Sequence, residues 1–436
     1  GTITEYAGTI KIYNLNTSYT DTTDEKIAEL NLVGDSTTTR AGLLAGKMDG
    51  GTIIFTEPSN QTTNNLYVRF THAHYGGGLI GEMTGGTIIG VEGSNNLNST
   101  VYLFSLQPEG TTEVNANLGG IVGLASSSGD KSISNIDVIV PDILHTNSFG
   151  GLIAEVRHDI TFTDCVIDSG NSMQVVSKMN QSNNYFGLLA AKLGDTNSSS
   201  DATLTVDGFA YKQIDTDTTS DSKSILVNVV TNDGQSSEGN INEGFGLLIG
   251  RQNANFELTF DTSFSFEPNM IVSDGNNVGG LIGRYDYGYV KIDIASMNYF
   301  VQLSGADNVG GAIGYVSSNI ENIFDFAPDE TAEDDRYWNF LTDGDGHNNA
   351  YATVYKAVEQ NIGRDLENWG GLFGHYAASE LELYSAGNDE NSQEQQEKLT
   401  ITNYNNIYIT FKENNTTTQV IRNVGGVAGK LDNVTE

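Results

Sequence analysis

The chain is expected to fold as an all-β protein: a parallel, right-handed β-solenoid of about ten coils, with three short strands per coil and loop insertions. Three observations lead there. Glycine is abundant, with 50 copies in 436 residues. A short glycine block recurs ten times. Between the blocks lie segments rich in β-branched and aromatic residues, separated by turn residues.

The block reads apolar, Gly, Gly or Leu, two apolar residues, then Gly or Ala. Its first glycine is Gly42, Gly77, Gly119, Gly150, Gly187, Gly246, Gly279, Gly310, Gly370 and Gly425. Successive first glycines are 31 to 60 residues apart, and the short spacings cluster between 31 and 37. One such pentapeptide carries no information. Ten with common flanks mark a repeat protein, in which no unit buries its apolar face alone.

Two strand-like segments complete each repeat. One follows the block, as in TIIF (52–55), DITFTDCVI (159–167), FELTFD (256–261) and YVKIDIA (289–295). Another precedes the next block, as in LYVRF (66–70), TVYLF (100–104), ILVNVV (225–230) and YFVQL (299–303). They are short and often alternating, which fits strands rather than helices. Right-handed coiling follows from the rule for parallel crossovers. A propeller blade would need about four strands per repeat. The chain reads as a single solenoid over 1–436, with insertions near 195–243, 327–361 and 387–419 where the spacing is long. It opens on GTI, which matches Gly51–Ile53 and Gly86–Ile88, and ends shortly after the tenth block. It is therefore expected to be a window from a longer array.

Take the first glycine as position 0. Position −1 is usually large and apolar. Position −2 is Asn117, Asn277, Asn308, Asn368 and Asn423 in five copies. Stacking would bring these amides into an asparagine ladder. The glycine pair suits a corner that needs positive φ or close backbone approach. Strand alternation places +2, +4 and +6 inside and +5 outside. That leaves +3 outside, although it is apolar in every copy, for example Ile282 and Ile313. Either a bulge or an overlying loop buries it, which is the expectation here, or it forms an exposed stripe that docks a neighbour.

Composition narrows the function. Net charge is −35, from 56 acidic and 21 basic residues. That disfavours nucleic acid and anionic membranes as partners. The sequence has no apolar run long enough for a membrane-spanning helix, so no membrane insertion is expected. One cysteine, Cys165, excludes an intrachain disulfide and leans towards a bacterial surface or extracellular protein.

Signals for chemistry are weak. His72 and His74 form an H-x-H pair without an evident third ligand. Acidic clusters at 215–221, 328–335 and 343–346 read as solvated charge, with weak calcium binding as the alternative. Hydrolase, metalloprotease and phosphate-loop motifs are absent from the sequence. No cofactor and no enzymatic activity are expected. In the 327–361 insertion, Tyr337 and Trp338 stand among acids and suit a sugar ring.

NVGGLIG (277–283), NVGGAIG (308–314) and YGGGLIGEMTGGTI (75–88) resemble the GLUG motif, a glycine-rich repeat of large bacterial surface and secreted proteins. GGAI (310–313) more distantly resembles the polymorphic outer-membrane proteins of chlamydiae, but their companion F-x-x-N tetrapeptide is not regularly present. GLLAG and GLLAA depart from the motif by losing the second glycine. The resemblance implies a β-helix stalk or passenger, extracellular and without chemistry of its own. The expected function is a structural or adhesive module. Its partners would be itself, neighbouring domains, surface glycans or receptors on another cell. Two alternatives are a filament subunit joined through uncapped ends and a carbohydrate-binding or carbohydrate-active β-helix.

Overall fold

The structure is a computed structural model. It describes residues 9–12, 28–30, 39–55, 65–70, 74–91, 99–105, 117–140, 144–168, 172–179, 184–195, 201–212, 224–231, 243–261, 268–273, 275–293, 299–305, 307–318, 323–325, 338–339, 350–355, 366–378, 382–384, 408–410 and 421–432. Among them every regular element is a strand, and every pairing is parallel between one coil and another. The all-β parallel solenoid read from the sequence is the fold.

The strands that lead into the ten glycine blocks form one ten-stranded sheet, stacked in chain order. Gly42 pairs with Gly77, Gly77 with Gly119, Gly119 with Gly150 and Gly150 with Gly187. Gly246 pairs with Gly279, Gly279 with Gly310, Gly310 with Gly370 and Gly370 with Gly425. At about 4.8 Å between strands, ten blocks make a stack roughly 45 Å high. The strands that leave the blocks belong to a second, 22-stranded sheet. A seven-stranded sheet runs from Leu144–His145 to Tyr408–Thr410.

The coils of Gly42 and Gly77 hold three strands among the described residues, as expected, and the coils from Gly119 to Gly370 hold four or five. The coil of Gly279 has Val278–Gly279, Ile282–Tyr287, Val290–Asp293 and Tyr299–Ser304. The extra strand arises because each block is two strands joined by a reversal. The segment 195–243 is not wholly an inserted loop either. It contains Thr203–Lys212 and Ser224–Thr231, both paired to the coils on either side.

The reversal points into the core. At position −1, Leu118, Phe149, Phe186, Phe245, Val278, Val309 and Trp369 are buried. At +2, Leu79, Ile121, Leu152, Leu189, Leu248 and Leu281 are fully buried. At +3, Ile80, Val122, Ile153, Ala190, Ile249, Ile282 and Ile313 are 0% exposed, which settles burial against an open stripe. Strict alternation fails here for a physical reason. The amides of +2 and +3 both donate to the +2 carbonyl of the next coil, as Leu281 N and Ile282 N do to Ala312 O at 2.8 and 3.1 Å. Two residues facing one acceptor is a bulge, and it turns both side chains inward. The same double bond occurs at Leu79–Ile80, Leu152–Ile153 and Leu372–Phe373. In the first nine blocks the +2 and +3 amides are satisfied by the next coil, as buried backbone groups must be.

Glycine serves close approach in the block, not positive φ. A Cβ on Gly279 would overlap the Ile282 carbonyl and meet Gly314 N at 2.8 Å. A Cβ on Gly314 would strike the backbone of Asn277 and Val278 in the preceding coil. The two arms of the reversal thus pack backbone against backbone. Left-handed φ falls instead on the asparagine at −2: Asn277 (60°), Asn308 (54°), Asn368 (61°) and Asn423 (55°). Asparagine tolerates this region better than other side chains.

Further along each coil, one inward rank runs Ile53, Ile88, Ile133, Phe162, Val206, Leu258 and Ile292 in register, all buried. Beside it an outward rank of hydroxyls runs Thr52, Thr87, Ser132, Thr161 and Thr205. Single left-handed residues mark the same corner of three adjacent coils: Asn135 and Asp164 stand between consecutive strands, and Gly208 lies at a register shift within strand Thr203–Lys212. Cys165 is fully buried and its thiol is pushed up to about 12 by that burial, which leaves it inert.

The backbone packing is open to test. Gly310→Ala is expected to destabilise the chain by about 2–4 kcal/mol, because the methyl group overlaps backbone that cannot yield cheaply. Gly426→Ala, where nothing lies within 4 Å, should change stability by less than about 0.5 kcal/mol. Urea unfolding of both variants reads the difference, and equal effects would remove the packing argument.

Candidate functional site

The polar residues of the blocks converge on one seam. Positions −2, +5 and +7 share the face that closes over the reversal. The seam is built from different coils, because a −2 residue reaches the +5 residue of a later block.

At its N-terminal part, Arg40 (−2) lies 3.2 Å from Glu82 (+5), and its guanidinium sits 4.6 Å over the Tyr75 ring. Ser126 (+7) donates to Glu82. Glu155 (+5) forms the densest knot. Tyr75 donates its hydroxyl to it from two blocks earlier, Arg157 approaches at 2.6 Å and Lys192 at 3.0 Å. Glu155 is only 5% exposed. Burial by itself would raise its pKa, but Lys192 and Arg157 outweigh burial, and the carboxyl is held below its ordinary value. The Tyr75 hydroxyl is pushed up, by burial first and then by the Glu155 charge.

The C-terminal part repeats the idea with other residues. Asp286 (+7) accepts from Arg251 at 2.6 Å and from Arg284 at 2.9 Å, and Arg251 also donates to the Tyr185 hydroxyl at 3.2 Å. Arg284 lies 5.2 Å over the Tyr315 ring. Tyr315 meets His375 edge to face at 5.1 Å. His375 and Lys430 both contact Asp432, at 2.9 and 2.8 Å.

Beside the seam runs the asparagine ladder. Asn308 donates to Asn277, Asn368 to Asn308 and Asn423 to Asn368, each at 2.8 Å, and Asn277 donates to the Glu243 carbonyl at 2.7 Å. Asn117 is not a rung. Its amide donates to the His74 carbonyl at 3.0 Å, and Ser148, Tyr185 and Gly244 hold position −2 in the three coils between it and Asn277. The ladder therefore has four of the five expected members.

The other sequence candidates divide by location. His74 belongs to the seam, while His72 lies outside the described residues. The acidic clusters at 215–221, 328–335 and 343–346 and Tyr337 also lie outside them. Trp338 is placed by its backbone, in strand Trp338–Asn339 paired with Ile292 and Asp293. Among the described residues, no group of three or more His, Cys, Asp or Glu is arranged to hold a metal ion. Nor is any helix among them long and apolar enough to cross a membrane. Comparison with protein-family models, curated proteins and solved structures finds no match.

The seam was not foreseen, although its +5 charges were visible. Its signal in the sequence is a polar or aromatic residue at −2 combined with charge at +5 or +7.

Its central knot predicts an acid response. Because Glu155 has a folded-state pKa below its ordinary 4.5, it contributes stability above that value and loses it as pH falls below it. Glu155→Gln should cost about 3 kcal/mol at neutral pH, since it leaves Lys192 and Arg157 without their carboxylate. Its stability should also fall less steeply than the parent's below pH 4.5. Urea unfolding over a pH series measures both, and an unchanged acid limb would dissociate Glu155 from it.

Proposed function

We propose that the chain is a structural module of a secreted or cell-surface protein, a β-solenoid that acts as stalk, display scaffold or assembly unit. The observation that carries this reading is the unbroken stack: ten blocks hydrogen-bonded in register from Gly42 to Gly425. A continuous parallel ladder resists bending and sets a fixed distance between whatever joins its ends. Three further features support it. The repeats resemble the GLUG motif of large bacterial surface proteins. The lone cysteine is buried, so the fold does not rely on a redox compartment. The strongly acidic composition favours solubility in a crowded exterior.

A load-bearing stalk should yield under force one coil at a time. Single-molecule pulling on the full chain is expected to give stepwise extension. The shortest coils, of 31 residues, should each release about 100 Å of chain at ~3.4 Å per residue. Extension at negligible force without discrete steps would contradict the role.

A further inference from the structure

Two histidines stand on the seam, and they face opposite neighbours. His375 Nε2 lies 2.9 Å from the Asp432 carboxylate. His74 Nδ1 lies 3.2 Å from Nη1 of Arg40. A guanidinium has only donors. The His74 nitrogen facing it must therefore offer a lone pair, so this imidazole is neutral and carries its proton on Nε2.

The groups around His74 come from several coils. Strand Arg40–Gly42 brings Arg40, which Glu82 from strand Ile80–Ile89 holds at 3.2 Å. Strand Ile153–Val156 brings Glu155, and Arg157 follows it; the charges of both act on the ring. The Tyr75 ring lies edge-on at 4.6 Å. Strand Asn117–Gly119 contributes no charge; Asn117 donates its backbone and side-chain amides to the His74 carbonyl. Two guanidinium groups and two carboxylates, Glu155 and the Glu82 that holds Arg40, thus stand around a half-buried ring.

We propose that His74 is an acid-sensitive latch on the join between the first two glycine blocks. A proton arriving at Nδ1 removes the acceptor for Arg40 and places an imidazolium beside that guanidinium. Arg40 keeps Glu82 and the Tyr75 ring, so the join loosens while the solenoid stays folded. The direction is consistent with the local electrostatics. Burial first, then Arg40, hold the His74 pKa below its ordinary 6.5, with Glu155 opposing. A depressed value means the stabilisation is present above 6.5 and is lost as pH falls below it. A surface stalk built this way would respond to a mildly acidic compartment at one defined place.

Nitrogen-15 NMR of the full chain labelled at histidine tests the state of the ring. The expected result is the Nε2–H tautomer at neutral pH and titration below the ordinary histidine value. Hydrogen exchange read by mass spectrometry on a peptide covering 39–55, corrected for intrinsic rates, tests the consequence. Protection there should fall measurably between pH 7.5 and 5.5, while a peptide covering 255–261, which meets no histidine in its paired strands, stays unchanged. His74→Gln should remove that pH response. The Nδ1–H tautomer, titration at or above the ordinary value, or an undiminished response in His74→Gln would each overturn the proposal. If His74→Gln fails to fold, the NMR result on the parent chain decides alone.

Discussion

The structure depends on a chain reversal performed inside an apolar core. A buried turn exposes amides and carbonyls to surroundings that offer no water, and each unpaired group would cost about 1–3 kcal/mol. The solution is periodic. Each apex gives its +2 and +3 amides to one carbonyl of the next coil, so no apex is complete without its neighbour. The arms of the reversal can then touch only if no side chain intervenes, which fixes glycine at 0 and a glycine or alanine at +4. The apolar plugs at −1, +2 and +3 follow, because the outer faces of the two arms look into the core.

The polar parts answer a different need. Ten nearly identical blocks give the hydrophobic effect little reason to prefer one neighbour over another. The amide ladder and the seam are where the coils differ, and both act between coils. Seven of the 21 basic residues, Arg40, Lys47, Arg157, Lys192, Arg251, Arg284 and Lys430, stand on the seam, although the chain carries a net −35. They neutralise Asp49, Glu82, Glu155, Asp286 and Asp432 where the coils meet, so the self-repulsion of an acidic chain is not concentrated at its joins. The net stabilisation from such pairs is modest, because burial of Glu155 and Asp286 costs solvation that the partners only offset.

Much of this fold was legible because repetition amplifies weak signals. The ten glycines, the inward ranks and four of the ladder asparagines fall where periodicity places them. What escaped was local geometry that periodicity alone does not encode. Strict alternation put Ile282 outside and its apolar character pointed to a bulge or an overlying loop; what nothing in NVGGLIG announces is the one acceptor that both apex amides share. Of the two reasons offered for the glycine pair, close approach is the one that holds, and the left-handed turn falls on the asparagines instead. Asn117 matched the ladder by position but not by neighbours, because three coils without asparagine at −2 separate it from Asn277. The seam was hidden for a similar reason. Many of its contacts join residues far apart in the chain, such as Arg40 with Glu82, 42 positions apart, and Tyr75 with Arg157, 82 apart.

The buried reversal is tested most directly by thiol accessibility. The native Cys165 is buried and silent, so it does not interfere. Ile282→Cys places a thiol on the inward apex, and Tyr287→Cys places one five residues later, where the parent side chain is 39% exposed. Under native conditions the thiol at 287 should react freely with an alkylating reagent, and the thiol at 282 should react orders of magnitude more slowly until the chain unfolds. Comparable rates at the two positions in a folded chain would place the apex at the surface and contradict the inward reversal.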